Sequence, residues 1–410
     1  MASTAAPGSG DSASAAALER SLVPGISRNV FMLGLVSFFT DVSNEMVYPL
    51  IPIFLTSVLG VPASVVGLVE GVAEATAGLL RVFFGFFSDR LGQRKPFVYV
   101  GYGLSACSKP LIALAYAWPL VLFARFADRF GKGIRTPARD ALIAESCSQE
   151  SRGRAFGFHR SLDTTGAVVG PLLAFSALGI LGGDLRKVFV LAFIPGVISL
   201  FLIKQARETG HKGAVKQVVS RARFTPGKGY LVFIGVSMLF ALGNSSDAFL
   251  VLRAGKLGLD TQQVVLAYTL FNVVYALLST PMGILSDRLG RRDVIAMGMA
   301  LFALVYTGFG LVPGGSYVWG LFALYGGYMA MTDGVGKALI SDFAPADSRA
   351  TALGFYYSAL GGMALLASLL AGQLWDRVGS SAPFLLGGAT AALAAVLLTL
   401  LMPRVSHVQR

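Results

Sequence analysis

Apolar runs of about 20 residues recur along the whole chain between short polar connectors. A helix of that length, rising about 1.5 Å per residue, spans the roughly 30 Å hydrocarbon layer of a bilayer. Twelve runs can be counted, at 29–58, 62–86, 96–118, 119–144, 152–180, 187–206, 229–252, 262–286, 293–313, 316–341, 349–374 and 382–402. With 54% hydrophobic and only 14% charged residues, the 410-residue chain has too little polar surface to wrap a soluble core of its size. Lipid must solvate it, so the bilayer is its first expected partner.

The net charge of +12 could suggest nucleic acid, but its distribution points elsewhere. If the N-terminus is cytoplasmic, the inner connectors hold sixteen Lys and Arg: Arg90, Arg94, Lys95, Arg152, Arg154, seven from Lys204 to Lys228, Arg288, Arg291, Arg292 and Arg349. The outer connectors hold five: Arg186, Lys187, Arg253, Lys256 and Arg377. That asymmetry is the positive-inside bias, which puts both termini in the cytoplasm of a bacterial inner membrane and leaves no role for nucleic acid. Trp118, Trp319 and Trp375 then all fall at the outer interface, where amphipathic rings settle. Cys107 and Cys147 form no disulfide framework. Residues 1–27, rich in Ala, Ser and Gly, lack a basic start followed by an apolar stretch and read as a disordered cytoplasmic tail.

An internal repeat sets the architecture. Gly85-Phe-Phe-Ser-Asp89-Arg90-Leu-Gly92 returns as Gly283-Ile-Leu-Ser-Asp287-Arg288-Leu-Gly290, 198 residues later. Ala141-Leu-Ile-Ala-Glu145, with Ser151-Arg152 and Gly157-Phe158, returns as Ala338-Leu-Ile-Ser-Asp342, with Ser348-Arg349 and Gly354-Phe355, 197 residues later. Both segments follow the second and fourth spans of their half, so the halves are parallel repeats about an axis normal to the membrane. The expected units are a six-helix half at 28–206, a basic linker at 207–228, a second half at 229–402 and a cytoplasmic tail at 403–410. A weaker echo, Gly372-Gln-Leu-Trp-Asp376-Arg377-Val-Gly379, lies outside after the eleventh span, as inverted three-helix units within each half would give.

The Gly85 to Lys95 segment resembles the signature of the major facilitator superfamily, Gly-x-x-x-Asp-Arg-x-Gly-x-basic-basic, at every fixed position. Span four is similar to a second family pattern through Arg125, Gly131, Gly133 and Pro137, with Arg129 in place of its first glycine. Span five resembles the pattern of the drug:proton antiporter branch through Gly157, Gly166, Gly170 and Pro171, its closing glycine pair reading Ala174-Phe175. The resemblance covers residues 29–402. It implies an all-α membrane protein of twelve transmembrane helices in two pseudo-symmetric six-helix bundles, working as a monomer by alternating access. Gly85, Asp89, Arg90, Gly92 and Arg94, with Asp287, Arg288 and Gly290 in the second half, would then be conformational gating residues. Asp89 among Arg90, Arg94 and Lys95 can make charge-assisted bonds between helix ends that break as the halves rock; a solvated connector is the alternative.

The remaining charges lie inside spans. Eight Lys and Arg are in the first half, Arg81, Lys109, Arg125, Arg129, Lys132, Arg135, Arg139 and Arg160, and Lys337 alone is in the second. Each would cost at least about 2.5–3.5 kcal/mol facing lipid at mid-membrane, so they line a wet cavity or pair with one another. At about 100° per residue, the charges of span four form one stripe about 140° wide, and Glu70, Glu74 and Arg81 share a stripe of about 40° on span two. In the resembled fold, spans one and four line the central cavity. Asp41 and Arg125 are therefore the expected cavity pair, with Glu45, Arg129, Lys132 and Asp163 as further coupling or cavity residues. Asn244 and Asp247 interrupt span seven, the counterpart of span one, and face the same cavity or bond a neighbouring helix. His159 is expected to be a hydrogen-bonded packing residue. Lys109, and the pairing of Arg160 with Asp163, are left open by the sequence.

No nucleotide-binding loop or metal-ligand motif is present, and neither cofactor nor metal is expected. The chain reads as a secondary active transporter, not an enzyme. The leading expectation is proton-coupled export of a small polar or amphipathic solute; the alternative is proton symport importing an organic anion such as a carboxylate, phosphate ester or metal chelator, suited to the cationic stripe of span four.

Overall fold

The computed structural model describes residues 26–91, 93–148, 151–208, 225–344 and 348–402. Lipid offers no partner for a free backbone N–H or C=O, so the chain satisfies them within helices. Twelve long ones follow one another: α1 (Arg28–Val58), α2 (Ala63–Leu91), α3 (Lys95–Ala113), α4 (Trp118–Glu145), α5 (Arg152–Ile180), α6 (Leu185–Gln205), α7 (Lys228–Lys256), α8 (Thr261–Leu289), α9 (Arg291–Leu311), α10 (Val318–Phe343), α11 (Arg349–Arg377) and α12 (Ala382–Leu401). Nine of these are long and apolar enough to cross a membrane by composition; α3, α4 and α10 are not. In α4 the cause is its charges, and these turn inward. Around the belt Phe83, Phe123, Phe201, Leu277, Leu304 and Leu400 stand exposed, as side chains dissolved in acyl chains do.

The two halves repeat one packing plan. α1 packs on α5 and α6, α3 on α4 and α6, and α2 on α4; α7 packs on α11 and α12, α9 on α10 and α12, and α8 on α10. The halves meet along α2–α11 and α5–α8, contacts that exchange with each other when the halves are interchanged. Two helices deviate from regular geometry. α1 tightens into a 3-10 turn at Tyr48–Leu50 and ends in a π turn at Phe54–Val58; Pro49 within the first turn and Pro52 between the two lack an N–H. α7 breaks at Asn244, giving Lys228–Gly243 and Ala248–Lys256, as the polar run from Asn244 to Asp247 suggests.

We call the face carrying the start of α1 and the end of α12 the terminal face, and the opposite one the distal face. Trp118, Trp319 and Trp375 all lie near distal helix ends. The first and last tails and most of the 207–228 linker fall outside the described residues.

The seam between the halves is closed toward the distal face. Ala248 and Val265 of the second half belong to the apolar core of the first, and Tyr48 and Ile53 pack against the core of the second. The echo motif at the end of α11 acts here: Asp376 accepts from the N–H groups of Ala63 and Ser64, at 3.0 and 2.8 Å, and so caps α2 of the other half. Gly372 allows the approach, since a Cβ there would lie 2.6 Å from the Ser64 Cα. Asp376→Ala leaves both amides without this acceptor and is expected to cost about 1 kcal/mol, the usual loss for a helix cap. Thermal unfolding in detergent measures that loss, and faster maleimide labelling of a Ser64→Cys reporter reads the loosened seam.

Candidate functional site

Charges from α1, α2, α3, α4 and α5 converge in the middle of the first half. A cavity of about 90 Å³, room for several ordered waters, is lined by Asp41, Glu45, Tyr48, Lys109, Arg125 and Arg129 among others, with Asp128 and Lys132 completing its charged wall.

The strongest contact is not the expected one. Arg125 is clamped by Glu70 of α2, with Nε to Oε1 at 2.9 Å and Nη2 to Oε2 at 2.5 Å, and Asp128 lies 3.5 Å from its Nη1. The expected Asp41–Arg125 pair is thus replaced by Glu70–Arg125. The physical reason is that α2 packs directly on α4 and aims its acidic stripe at the cationic one. One turn on, Glu74 pairs with Arg129 at 2.9 Å. Lys109 holds Asp128 at 3.3 Å, donates to Asn44 at 2.5 Å and to the Ser105 carbonyl at 2.7 Å, and Ser105 donates to Asp128. Lys109 thereby acquires the role its sequence context withheld. Tyr48 lies beneath Arg125 and Arg129, its ring centroid 5.4 and 5.8 Å from their guanidinium carbons. Lys132 has no carboxylate within 4 Å among the described residues, and the Nε of Arg129 is buried without an acceptor.

Asp41 lies beside Asp163 instead of Arg125, close enough for the two carboxyls to interact. Carboxylates are acceptors only, so a hydrogen bond between the two would require a proton on one of them. Ser37 donates to the Asp163 Oδ1 at 2.7 Å and Arg160 to its Oδ2 at 3.1 Å. The glycines of α5 make this possible. A Cβ on Gly166 would lie 2.6 Å from the Phe38 carbonyl oxygen and 3.1 Å from the Asp41 Cβ, and one on Gly170 2.8 Å from the Glu45 Cβ; without them α1 and α5 would stand too far apart. Gly166→Ala should therefore destabilise by about 1–3 kcal/mol through overpacking, whereas Gly157→Ala, in the same motif but with nothing within 4 Å, should be near neutral in the same thermal-unfolding assay.

Glu45 reaches the second half, accepting from the Tyr268 hydroxyl at 3.0 Å. Asp247 accepts from Tyr325 at 2.6 Å, and Asn244 donates to Tyr328 at 3.1 Å. Both residues of the α7 break are thus bonded to α10. Arg139 pairs with its neighbour Asp140 at 2.8 Å, and Arg135 lies against the Tyr102 ring and the Gly101 carbonyl. His159 is buried with its Nε2 unpartnered among the described residues, so the expected hydrogen bond is not made at that nitrogen.

Of the gating residues, Gly92 lies outside the described residues, and Gly85, Asp89 and Arg90 fall on the last turns of α2 with their side chains outside the description. Arg94 bonds Ser88 at 2.9 Å and Glu145 at 3.4 Å. In the second half Arg291, not its register counterpart Arg292, takes that place, bonding Asp342 at 2.5 Å with Asp287 at 3.7 Å. Arg288 and Asp287 are exposed, and Gly290, at φ +99°, ends α8 in a conformation that favours glycine. Sequence reasoning missed Tyr48, Tyr268, Tyr325 and Tyr328 as site residues; a tyrosine in an apolar span carries no charge signal.

Two six-helix repeats inside an apolar belt, the first holding a charged cavity, define a multi-pass membrane carrier. The family model described as Major Facilitator Superfamily matches residues 33–252 and 231–410. An uncharacterized MFS-type transporter of Methanocaldococcus jannaschii is 36% identical over 379 residues, 91% of this chain and 94% of its own. Multidrug resistance protein MdtH of Salmonella paratyphi B is 32% identical over 142 residues, 35% of this chain and 34% of its own. Crystal structures of a mutant nucleoside transporter NupG and of a peptide transporter POT with sulfate share the fold. Their TM-scores are 0.77 and 0.78 at 14% and 13% identity, covering 92% and 95% of this chain and 100% and 97% of theirs. The chain belongs to the Major Facilitator Superfamily and is a transporter, not an enzyme.

Proposed function

We propose that the protein is a proton-coupled exporter of a small polar or amphipathic solute in a bacterial inner membrane, with its terminal face toward the cytoplasm. The Asp41–Asp163 pair carries this reading: a proton held between two carboxyls at the cavity wall is a proton that can be released when solute or water arrives. The neighbouring cations are mostly neutralised by their own acids, Arg125 by Glu70 and Arg129 by Glu74, which leaves Asp41 without a cation of its own and able to change charge in the cycle. Export is supported by the span-five glycine pattern of the antiporter branch and by the partial likeness to a multidrug resistance protein. One observation favours the second reading, import of an organic anion with protons: Lys132 and the Arg129 Nε stand at the cavity without a carboxylate partner of their own, a pair of donors suited to a carboxylate or phosphate.

The test is purified protein in proteoliposomes under an imposed pH gradient, with panels of amphipathic compounds and organic anions. Solute moving against the proton flux supports export, solute moving with it supports the second reading, and solute flux indifferent to the gradient overturns proton coupling.

A further inference from the structure

The proton pair has a physical link to the other half of the molecule. Arg160, on the α5 face that meets α8, divides its guanidinium between the halves. Its Nη1 donates to the Asp163 Oδ2 at 3.1 Å, and its Nη2 donates to the Tyr275 hydroxyl of α8 at 2.9 Å and lies 3.8 Å from the Asp333 Oδ2 of α10. Tyr275 in turn donates to Asp333 at 2.9 Å, and Lys337 holds Asp333 at 2.8 Å. Arg160 is more than half exposed, at 56% of its side chain, so it is free to redistribute between these acceptors without disturbing packing.

We propose that Arg160 is a positioning residue that transmits the protonation state of the Asp41–Asp163 pair to the α5–α8 seam. This rests on the proton-coupled reading of that pair. With one shared proton, Asp41, Asp163, Asp333, Lys337 and Arg160 sum to zero charge. Loss of the proton leaves the pair with two negative charges, draws Arg160 toward Asp163 and weakens its bonds to Tyr275 and Asp333. A second proton has the opposite effect and returns Arg160 to the second half. Protonation thus strengthens one inter-half contact and deprotonation loosens it, the differential interaction that a coupled conformational change requires. Other charged and titratable groups lie near the pair: Glu45 on α1, Lys132 and Arg139 on α4, and His159 on α5. They bias its affinity for protons, but the contacts that bridge this pair to the second half run through Arg160.

The experiment measures gradient-driven transport and solute exchange across external pH in proteoliposomes for the parent, Arg160→Gln, Arg160→Lys and Asp333→Asn. Arg160→Gln should keep exchange but flatten the pH profile of coupled transport and lower the protons moved per solute. Asp333→Asn should flatten it as well, although Asp333 does not touch the pair, and Arg160→Lys should restore part of the slope. A parent-like profile in Arg160→Gln, or in a folded Asp333→Asn, overturns the relay while leaving proton coupling standing. If the parent itself shows no dependence on the gradient, the proton reading fails, and the relay with it.

Discussion

Asp41→Asn is expected to reduce gradient-driven concentration of solute to background while leaving solute-for-solute exchange within about threefold of the parent, under about 1 kcal/mol of barrier. Asparagine keeps the shape of aspartate, and its amide N–H still donates to Asp163, so the α1–α5 contact set by Gly166 and Gly170 is retained. What it lacks is a proton to release. Without that change of charge the two cavity states no longer differ in proton content, and a gradient exerts no force on the cycle. The measurement compares accumulation under an imposed pH gradient with counterflow at equal pH in the same vesicles. Loss of both activities in a well-folded protein would place Asp41 in solute binding instead. Continued accumulation would make it a structural acid and move the search to Glu45, Asp163 or Asp247.

Much of this architecture was legible before any coordinate. Apolar run length fixes the helices, and the doubled Asp-Arg-x-Gly segment fixes the two halves, because both signals are local in the chain. The interior charges were legible as a set: mid-membrane Lys and Arg must be paired or wet, and most of the described ones are, Arg135 lying instead on the Tyr102 ring. Their pairing was not legible. Helical-wheel geometry shows that Arg125 and Glu70 each lie on a polar stripe, but which stripes meet depends on how α2 rolls against α4, a long-range packing outcome. The same limit applies to Asp163, whose partner Asp41 is brought near by glycines that read equally well as plain helix packing. Glu45, Asn244 and Asp247 were placed near the cavity, but their hydroxyl partners Tyr268, Tyr328 and Tyr325 are invisible to a search for charge. Arg291 occupies the place that repeat register assigns to Arg292, where α9 begins earlier than the register of α3 would put it.

The pairing found in the structure reverses the expected behaviour of Arg125. Were it the partner of Asp41, Arg125→Gln would shift the pH optimum of transport with the fold preserved. Clamped by Glu70, which is 1% exposed, it should instead be a stability mutant. Removing the guanidinium strands a buried carboxylate with no cation to replace it, and breaking such a pair from one side costs about 3–5 kcal/mol. Glu70→Gln should cost less, since Arg125 keeps Asp128 at 3.5 Å and the Tyr48 ring beneath it, and a neutral amide in Glu70's place can still accept one of its bonds. The double variant Glu70→Gln/Arg125→Gln removes both charges together and should recover a large part of the loss, because two neutral amides in contact need no counter-ion. Thermal unfolding of the four proteins in detergent gives the coupling energy directly as a double-mutant cycle. A coupling near zero, with Arg125→Gln as stable as the parent and altered only in its pH profile, would return Arg125 to the role beside Asp41 that the sequence alone suggests.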